Sequence, residues 1–359
     1  MILSNENHPL SGQRYDLADY INPRALEAAC GQRFDAAQTA FFLRDLTEVI
    51  GRTFDIKYPD LKARQIFPVW TGVDPGADGY VWRQFDRVGG AKIIDSYSED
   101  LPETEVIASE FQSRILSLGT SYSYSIMDLR KARMAGIPLE TRKALAARRS
   151  MEQAFEQIAF FGVAQVPGAT ASQALMFAPA TPSSTDPLAM YGVTNFPGLV
   201  VDTTLNDWTL PGTSVSTIVG DFNKEFLSVI NRSKGVHTPD CVVFPLSIWA
   251  QLNTTARSTV FTDDTILQYL MKENPWLKSV YWSTMLETAG LKQDGVTPGP
   301  RVLFLERNEE NLQLVVPQEF EQLPPQMVNM KFKIPCHMRV GGLRVSYPKS
   351  LVALDGMGG

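Results

Sequence analysis

Residues 138–162 read Pro138-Leu139-Glu140-Thr141-Arg142-Lys143-Ala144-Leu145-Ala146-Ala147-Arg148-Arg149-Ser150-Met151-Glu152-Gln153-Ala154-Phe155-Glu156-Gln157-Ile158-Ala159-Phe160-Phe161-Gly162. A proline at the start of a helix presets φ and gives up no needed hydrogen bond. From Leu139 to Phe161 there is neither Gly nor Pro, and Met151, Phe155 and Ile158 recur at spacings of four and three. That periodicity predicts one buried stripe, with Gly162 placed to terminate the helix. At 1.5 Å per residue the helix would be about 35 Å long, the width of a small domain, and can act as a spine.

Upstream, the texture is that of strands. Between Ile66 and Ile126, Pro68, Pro75, Gly76, Gly79, Gly89, Gly90 and Pro102 separate β-prone runs. One run is Tyr80 to Ile94, with Tyr80-Val81-Trp82-Arg83-Gln84-Phe85 at its head. A second is Ser109 to Ile126, ending in the strict alternation Ser121-Tyr122-Ser123-Tyr124-Ser125-Ile126. Joined through the polar stretch Asp95 to Thr104, the two are expected to form an extended two-stranded arm. A lone hairpin of that size is marginal unless something covers it, and a neighbouring subunit is the natural cover. Ahead of this region, Leu26, Cys30, Phe34, Ala37, Phe41 and Leu46 predict a helix within Arg24 to Ile50.

Downstream, Val166 to Pro211 is rich in Pro, Ala, Ser, Thr and Gly and reads as an irregular connection. Helices are expected at Val215 to Arg232, after Leu246, and at Thr265 to Asn274. Strands are expected at Val242-Val243-Phe244, Ser279 to Thr284 and Arg301 to Leu305, the last pairing through Glu306 to Asn311 with Leu312 to Val316. The result is an α/β lobe over roughly 213–320. Met330 to Leu354 is strand-like again, with a turn or bulge at Gly341-Gly342, and the chain is expected to return to its first domain there.

Bulk properties narrow the function. The chain has 359 residues, 44% hydrophobic and 20% charged, which is ordinary for a globular protein. Against 39 acidic residues stand 33 basic ones, a formal charge of −6, so no broad phosphate-binding surface is implied. Cys30, Cys241 and Cys336 are far apart and odd in number, which suggests neither a disulfide framework nor a zinc site and fits a reducing origin. No apolar run approaches membrane-spanning length, and Met1 to Arg14 lacks a signal-peptide pattern.

Motifs of catalysis are missing from the sequence: no P-loop, HExxH, GxSxG or GxGxxG occurs, and His8, His237 and His337 are the only histidines. Adjacent Cys336-His337 would point to opposite faces of a strand rather than converge on a metal. Asp74 and Asp78 with their glycines read as a turn rather than a calcium loop. Glu306, Glu309 and Glu310 read as a solvated hairpin tip. Arg142, Lys143, Arg148 and Arg149 form a basic run whose simplest reading is a solvated face with Arg148 and Glu152 at i,i+4 spacing. Neither a catalytic group, a cofactor nor a metal is assigned.

The order of elements then resembles the major capsid proteins of tailed bacteriophages and their relatives the encapsulin shell proteins. In that family an aromatic-hydrophobic strand followed by an acidic-Leu pair leads into a spine helix closing on an aromatic-Gly step. Here Tyr122 to Ile126, Asp128-Leu129 and Phe161-Gly162 stand in those places, and Gly192-Val193-Thr194-Asn195-Phe196-Pro197-Gly198 is similar to the loop that follows. The C-terminal Gly341-Gly342-Leu343-Arg344-Val345 with Pro348 is similar to the family's returning strand.

The resemblance implies an α+β capsid fold: an N-terminal arm at 1–63, an extended β-hairpin loop at 78–107, and an α/β axial domain at 213–320. The peripheral domain, with its spine helix at 138–162, would take 64–77, 108–212 and 321–359. It also implies a structural, non-enzymatic subunit made in the host cytoplasm and built into the virion. Such subunits self-assemble as pentamers and hexamers around double-stranded DNA, with scaffolding, portal and decoration proteins as further partners and no membrane. Inter-subunit contacts are expected at Tyr80, Trp82, Arg83, Phe85, Arg87, Lys92, Arg142, Arg148 and Arg149. Some family members crosslink subunits through a Lys and an Asn; Lys92 in the extended loop is a candidate donor, but no local pattern marks an acceptor, and that chemistry is not assigned. Two rival readings are an encapsulin-like protein compartment and a soluble enzyme or ligand-binding protein built on the lobe around Val242 to Asn253.

Overall fold

A computed structural model describes residues 60–92, 101–136, 138–163, 190–204, 206–210, 212–257 and 264–357. The helix expected within Arg24 to Ile50, and the arm up to residue 59, lie outside the described residues. So does the Val166 to Pro211 connection as far as residue 189.

The spine is where the sequence puts it. A short helix α1 (Ala63–Ile66), β1 (Val69–Trp70), β2 (Gly79–Val88), β3 (Glu105–Arg114), β4 (Leu116–Ser125) and α2 (Ile126–Ala135) precede the 23-residue helix α3 (Leu139–Phe161). Met151, Phe155 and Ile158 are buried, together with Ala147, Ala159, Phe160 and Phe161. Gly162 ends the helix at φ 65°, its N–H donating to Ile158 O at 2.8 Å.

The lobe that follows is built on one sheet. β5 (Val200–Thr203), α4 (Val215–Arg232), β6 (Cys241–Pro245), α5 (Leu246–Thr254), α6 (Ile266–Glu273), β7 (Ser279–Ser283), β8 (Gly290–Leu291), β9 (Pro298–Gly299) and β10 (Val302–Leu305) succeed one another. After them come β11 (Leu312–Val315), β12 (Gln318–Gln322), β13 (Gln326–Val328), β14 (Lys331–Val340), β15 (Gly342–Val345) and β16 (Leu351–Asp355). Five of these strands form a sheet in the order β5-β16-β10-β6-β7. Its central strands are apolar on both faces because both faces are covered. Cys241, Val243, Leu303, Leu305, Leu351 and Ala353 join the core around α3, while Val242, Phe244, Val302, Phe304, Val352 and Leu354 pack under α4, α5 and α6.

Three strand expectations are corrected. Leu312 to Val316 does not pair with Arg301 to Leu305: β10 lies between β6 and β16, whereas β11 joins a separate three-stranded sheet, β1-β11-β15. With β6 and β16 on its two edges β10 has none left for β11, and in the connection Glu306 accepts from Asn311 Nδ2 (2.8 Å) and lies 2.7 Å from His237 Nδ1. Glu306 is thus a junction residue and not part of a solvated tip. Val200 to Thr203, read as irregular, is a strand running parallel to β16 at the sheet edge. The run Ser109 to Ile126 is two strands, broken at the buried Ile115. β3 pairs with β2, and β4 pairs over its whole length with β14 in the sheet that also holds β12 and β13.

Two buried charged sites shape the lobe. Arg301 lies against Asp355 (Nη2–Oδ2 2.7 Å, Nε–Oδ1 2.7 Å), and its Nη1 donates to Thr194 O at 2.7 Å, so the pair is satisfied on both sides. Glu225 on α4 is otherwise placed. It is buried, its Oε2 has no hydrogen-bond partner, and burial with the nearby Asp202 carboxylate pushes its pKa up to about 7. An unfolded Glu titrates near about 4.3, so between there and pH 7 the native state binds the extra proton and stability falls as pH rises. Glu225→Gln, which mimics the protonated acid, is expected to raise the thermal midpoint of the unassembled subunit at pH 8 and to change it much less at pH 5. A larger gain at pH 5 would contradict this.

Candidate functional site

The hairpin β2–β3 is a ten-pair antiparallel ribbon from Gly79↔Arg114 to Val88↔Glu105, forming a two-stranded sheet of its own. At about 3.4 Å per residue each strand is about 34 Å long. Because directly paired residues share a face, one side carries Tyr80, Trp82, Phe111, Asp86, Ile107, Val88 and Glu105, and the other carries Val81, Arg83, Glu110, Phe85, Arg87 and Val106. Val81, Phe85, Val88, Val106, Ile107 and Phe111 are all exposed, Phe85 at 66%. That many exposed apolar side chains on one ribbon make it the candidate contact surface.

The base of the hairpin is fixed to its own subunit. Tyr80, expected to be exposed, is only 7% exposed: it stacks on Trp82 (5.7 Å), meets Trp70 edge-on (6.3 Å) and donates from its hydroxyl to Gly341 O (3.2 Å). Burial pushes its phenol up to about 12. The correction has a simple cause: Gly341, where the chain passes from β14 to β15, leaves room for the ring, and a Cβ there would lie 2.9 Å from Tyr80 Cε1. Trp82 is half-buried and stacks on Phe111 at 5.6 Å, extending the aromatic ladder outward. Arg83 pairs with Glu110 across the strands (3.0 Å) in the open, where such pairs contribute little. Arg87 and Lys92 are exposed farther out.

On the spine helix, Arg142 and Arg148 are exposed and Arg149 is half-buried. Lys143, read as part of the same face, instead donates to Ser123 O at 2.6 Å. Glu152 turns to Arg64 (3.1 Å) rather than serving Arg148. One residue that pattern reading passed over is Glu156. Buried on the helix, it accepts from the Lys62 and Ala63 N–H groups (3.0 and 2.8 Å) and so caps α1 from across the fold. Burial pushes its carboxyl up, and the two donors pull against that shift. Its i+3 and i+4 neighbours on the helix, Ala159 and Phe160, are apolar, and that was the signal available for it.

The loop at 192–196 explains the motif that follows the spine. The last turn of α3 leaves carbonyls unpaired. Val193 N–H reaches Ala159 O (3.0 Å), Thr194 donates twice to Phe160 O (3.0 and 2.6 Å), and Asn195 Nδ2 donates to Phe161 O (2.7 Å). Such close approach requires Gly192, where a Cβ would lie 2.4 Å from Phe160 C and O. Gly192→Ala is expected to destabilise the subunit by at least about 1–3 kcal/mol, the range for overpacking. Chemical denaturation of the unassembled subunit measures it, and an unchanged midpoint would contradict the fit.

Among the described residues no group of three or more His, Cys, Asp or Glu could hold a metal ion. Cys336 is buried, while His337 lies half-buried on the other face of β14. They line an open depression of about 600 Å³ with Gly119, Ser121, Lys333 and Pro335. Asp74 accepts from Gly76 N–H (2.7 Å) and makes a turn, and Asp78 meets Arg339 (3.2 Å).

The arrangement is a subunit with a large projecting apolar surface. No curated protein matches the chain. The capsid of Myoviridae phage XM1 superimposes with a TM-score of 0.73 at 14% identity, over 88% of this chain and 99% of that one. A chain from Mycobacterium phage Ogopogo gives 0.59 at 9% identity, over 89% and 98%, and one from Gordonia phage Cozz 0.53 at 14%, over 89% and 93%. The sequence profile of the family described as major capsid protein matches residues 89–171 and 187–357, well over half of the chain. With the profile and the fold in agreement, the chain belongs to the major capsid protein family.

Proposed function

We propose that this subunit of a capsid shell assembles into pentamers and hexamers that close an icosahedral head around double-stranded DNA. The observation that carries the reading is the β2–β3 hairpin, whose apolar residues beyond Trp82 lie exposed on both of its faces. In a closed shell each hairpin lies over a neighbour and buries that surface, and the energy resides in lateral interfaces rather than in a pocket. Phe85, Arg83, Arg87 and Lys92 are then contact residues on the hairpin, and Arg142, Arg148 and Arg149 contact residues on the spine. Tyr80 and Trp82 hold the hairpin at the angle from which it reaches out.

The domain assignment follows. Residues 78–107 are the extended loop and 213–320 the axial domain, with β5 and β16 completing its sheet. Residues 64–77, 108–212 and the rest of 321–359 form the peripheral domain, and 1–63 the arm. Scaffolding, portal and decoration proteins are the further partners, and the mature location is the virion. Expression of the full chain, followed by sedimentation and negative-stain imaging, tests the reading. Closed particles are expected, and, from infected cells, particles protecting DNA from nuclease. A chain that stays monomeric under every assembly condition overturns it.

A further inference from the structure

Helix α2 is ten residues long and has no buried residue. It is held by a capping box between Ser125 and Asp128 and by Gly136 in the left-handed region at φ 68°, yet a helix of this length is marginal in water without packing. Met127, Arg130, Lys131 and Met134 follow the i, i+3, i+4, i+7 pattern and share one face: two cations between two exposed apolar side chains, Met134 at 94%. The cations are part of a local excess. Between Ile126 and Ser150 seven basic residues stand against two acidic ones in a chain of net charge −6. Both acids are engaged locally, Asp128 in the capping box and Glu140 with the Tyr124 hydroxyl at 3.4 Å.

The complementary surface is on the hairpin. On the face that begins with Tyr80 and Trp82, the outer end carries Asp86 paired with Ile107 and Val88 paired with Glu105, two carboxylates and two apolar side chains, all exposed. From Asp86 to Val88 the strand advances about 7 Å, with the paired strand about 5 Å to the side. From Met127 to Met134 helix α2 advances about 10 Å.

We propose that this acidic and apolar end of the hairpin docks on α2 of a second copy of the chain. Asp86 and Glu105 then face Arg130 and Lys131, and Val88 and Ile107 pack against Met127 and Met134. The inference rests on the reading that the hairpin covers a neighbour, and names the surface it covers. Charge and apolarity match together. A nucleic acid would meet the cations of α2 but leave both methionines without an apolar partner and the acidic face of the hairpin uncovered. Opposed charges also set register between copies, since like-charge juxtaposition is strongly disfavoured at an interface.

The test is a charge exchange in the full-length chain. Arg130→Glu with Lys131→Glu, and separately Asp86→Lys with Glu105→Lys, are each expected to lower shell yield by about ten-fold or more, and the four changes together to restore it to within about three-fold. All four side chains are exposed, so the subunits should fold, which circular dichroism checks. In an otherwise wild-type background, Met134→Cys with Val88→Cys is expected to give a disulfide between copies in assembled shells and none in wild type. If exchange brings no recovery and no crosslink forms, the docking is overturned. Failure of hairpin-shortened subunits to assemble would then still leave the hairpin reading standing with another receptor. If hairpin-shortened subunits assemble normally, both readings fall. Normal shells from the Arg130→Glu, Lys131→Glu subunit with less packaged DNA would instead assign α2 to the nucleic acid and overturn the proposal.

Discussion

Excising Arg83 to Glu110 and joining Trp82 to Phe111 through an Asn-Gly turn is expected to give a folded subunit that forms no shells. The cut lies between paired residues of the ribbon, so the remaining rungs, from Gly79↔Arg114 to Trp82↔Phe111, keep their register, and Asn-Gly closes a two-residue hairpin turn. What remains inside is the seat itself: Tyr80 on Trp70, its hydroxyl on Gly341 O, and the stacked Trp82 and Phe111. What is lost includes the exposed apolar side chains Phe85, Val106 and Ile107. Burying such side chains is worth about 1.5–3 kcal/mol each, so their removal costs an interface much and a monomer little. Thermal unfolding should therefore stay within a few degrees of wild type, about the scatter expected from surface changes, while sedimentation shows no particles. Normal particles from this variant would contradict the role given to the hairpin.

Phe155→Asp is expected to abolish folding and not merely assembly. Phe155 is 2% exposed at the centre of the spine stripe, under the Arg64 guanidinium at 4.6 Å, in the core shared by α1, α3 and three sheets. Truncating a buried Phe costs about 3–5 kcal/mol, and an unpaired carboxylate adds desolvation, against a total stability of about 5–15 kcal/mol. The control is Leu145→Asp on the same helix, 62% exposed, which should fold. Near-ultraviolet circular dichroism of the soluble fraction separates the two. A folded, assembly-defective Phe155→Asp subunit would show that this stripe is an interface rather than core.

Local pattern carried a reader far along this chain. The spine helix was legible at Leu139 to Phe161 and the next helix at Val215 to Arg232, because each combines an unbroken 3.6-residue period with a stop or cap at its ends. What failed was pairing at a distance. Val242 to Phe244, Val302 to Leu305 and Leu351 to Leu354 are each buried on both faces, and nothing in such uniform runs says which neighbour lies beside which. Hence the mistaken hairpin between β10 and β11, and the missed edge strand β5, recognisable only once β16 is in place. Alternation in Ser109 to Ile126 changes phase at the adjacent Ile115 and Leu116, and that shift is the one local mark of the transfer from one sheet to another.

The contact surface divides along the same line. Exposure of Phe85, Arg83 and Arg87 follows from their place on a long polar-bounded ribbon, whereas burial of Tyr80 depends on Gly341, some 260 positions away in sequence. Glu156 was likewise hidden: a carboxylate on the inner half of a helix reads as an anomaly until the N–H groups of Lys62 and Ala63 are beside it. In the Gly192 to Phe196 loop the residues were visible, but their reason was not. Glycine, threonine and asparagine stand there because the end of the spine helix needs donors at very close range.

A three-dimensional reconstruction of particles assembled from the full chain tests the central claim most directly. The account predicts closed shells of pentamers and hexamers in which each β2–β3 hairpin lies against a neighbouring subunit, with Phe85, Val88, Val106 and Ile107 at the contact. Closed shells in which the hairpin extends freely into solvent, its apolar residues touching no other copy, would contradict it.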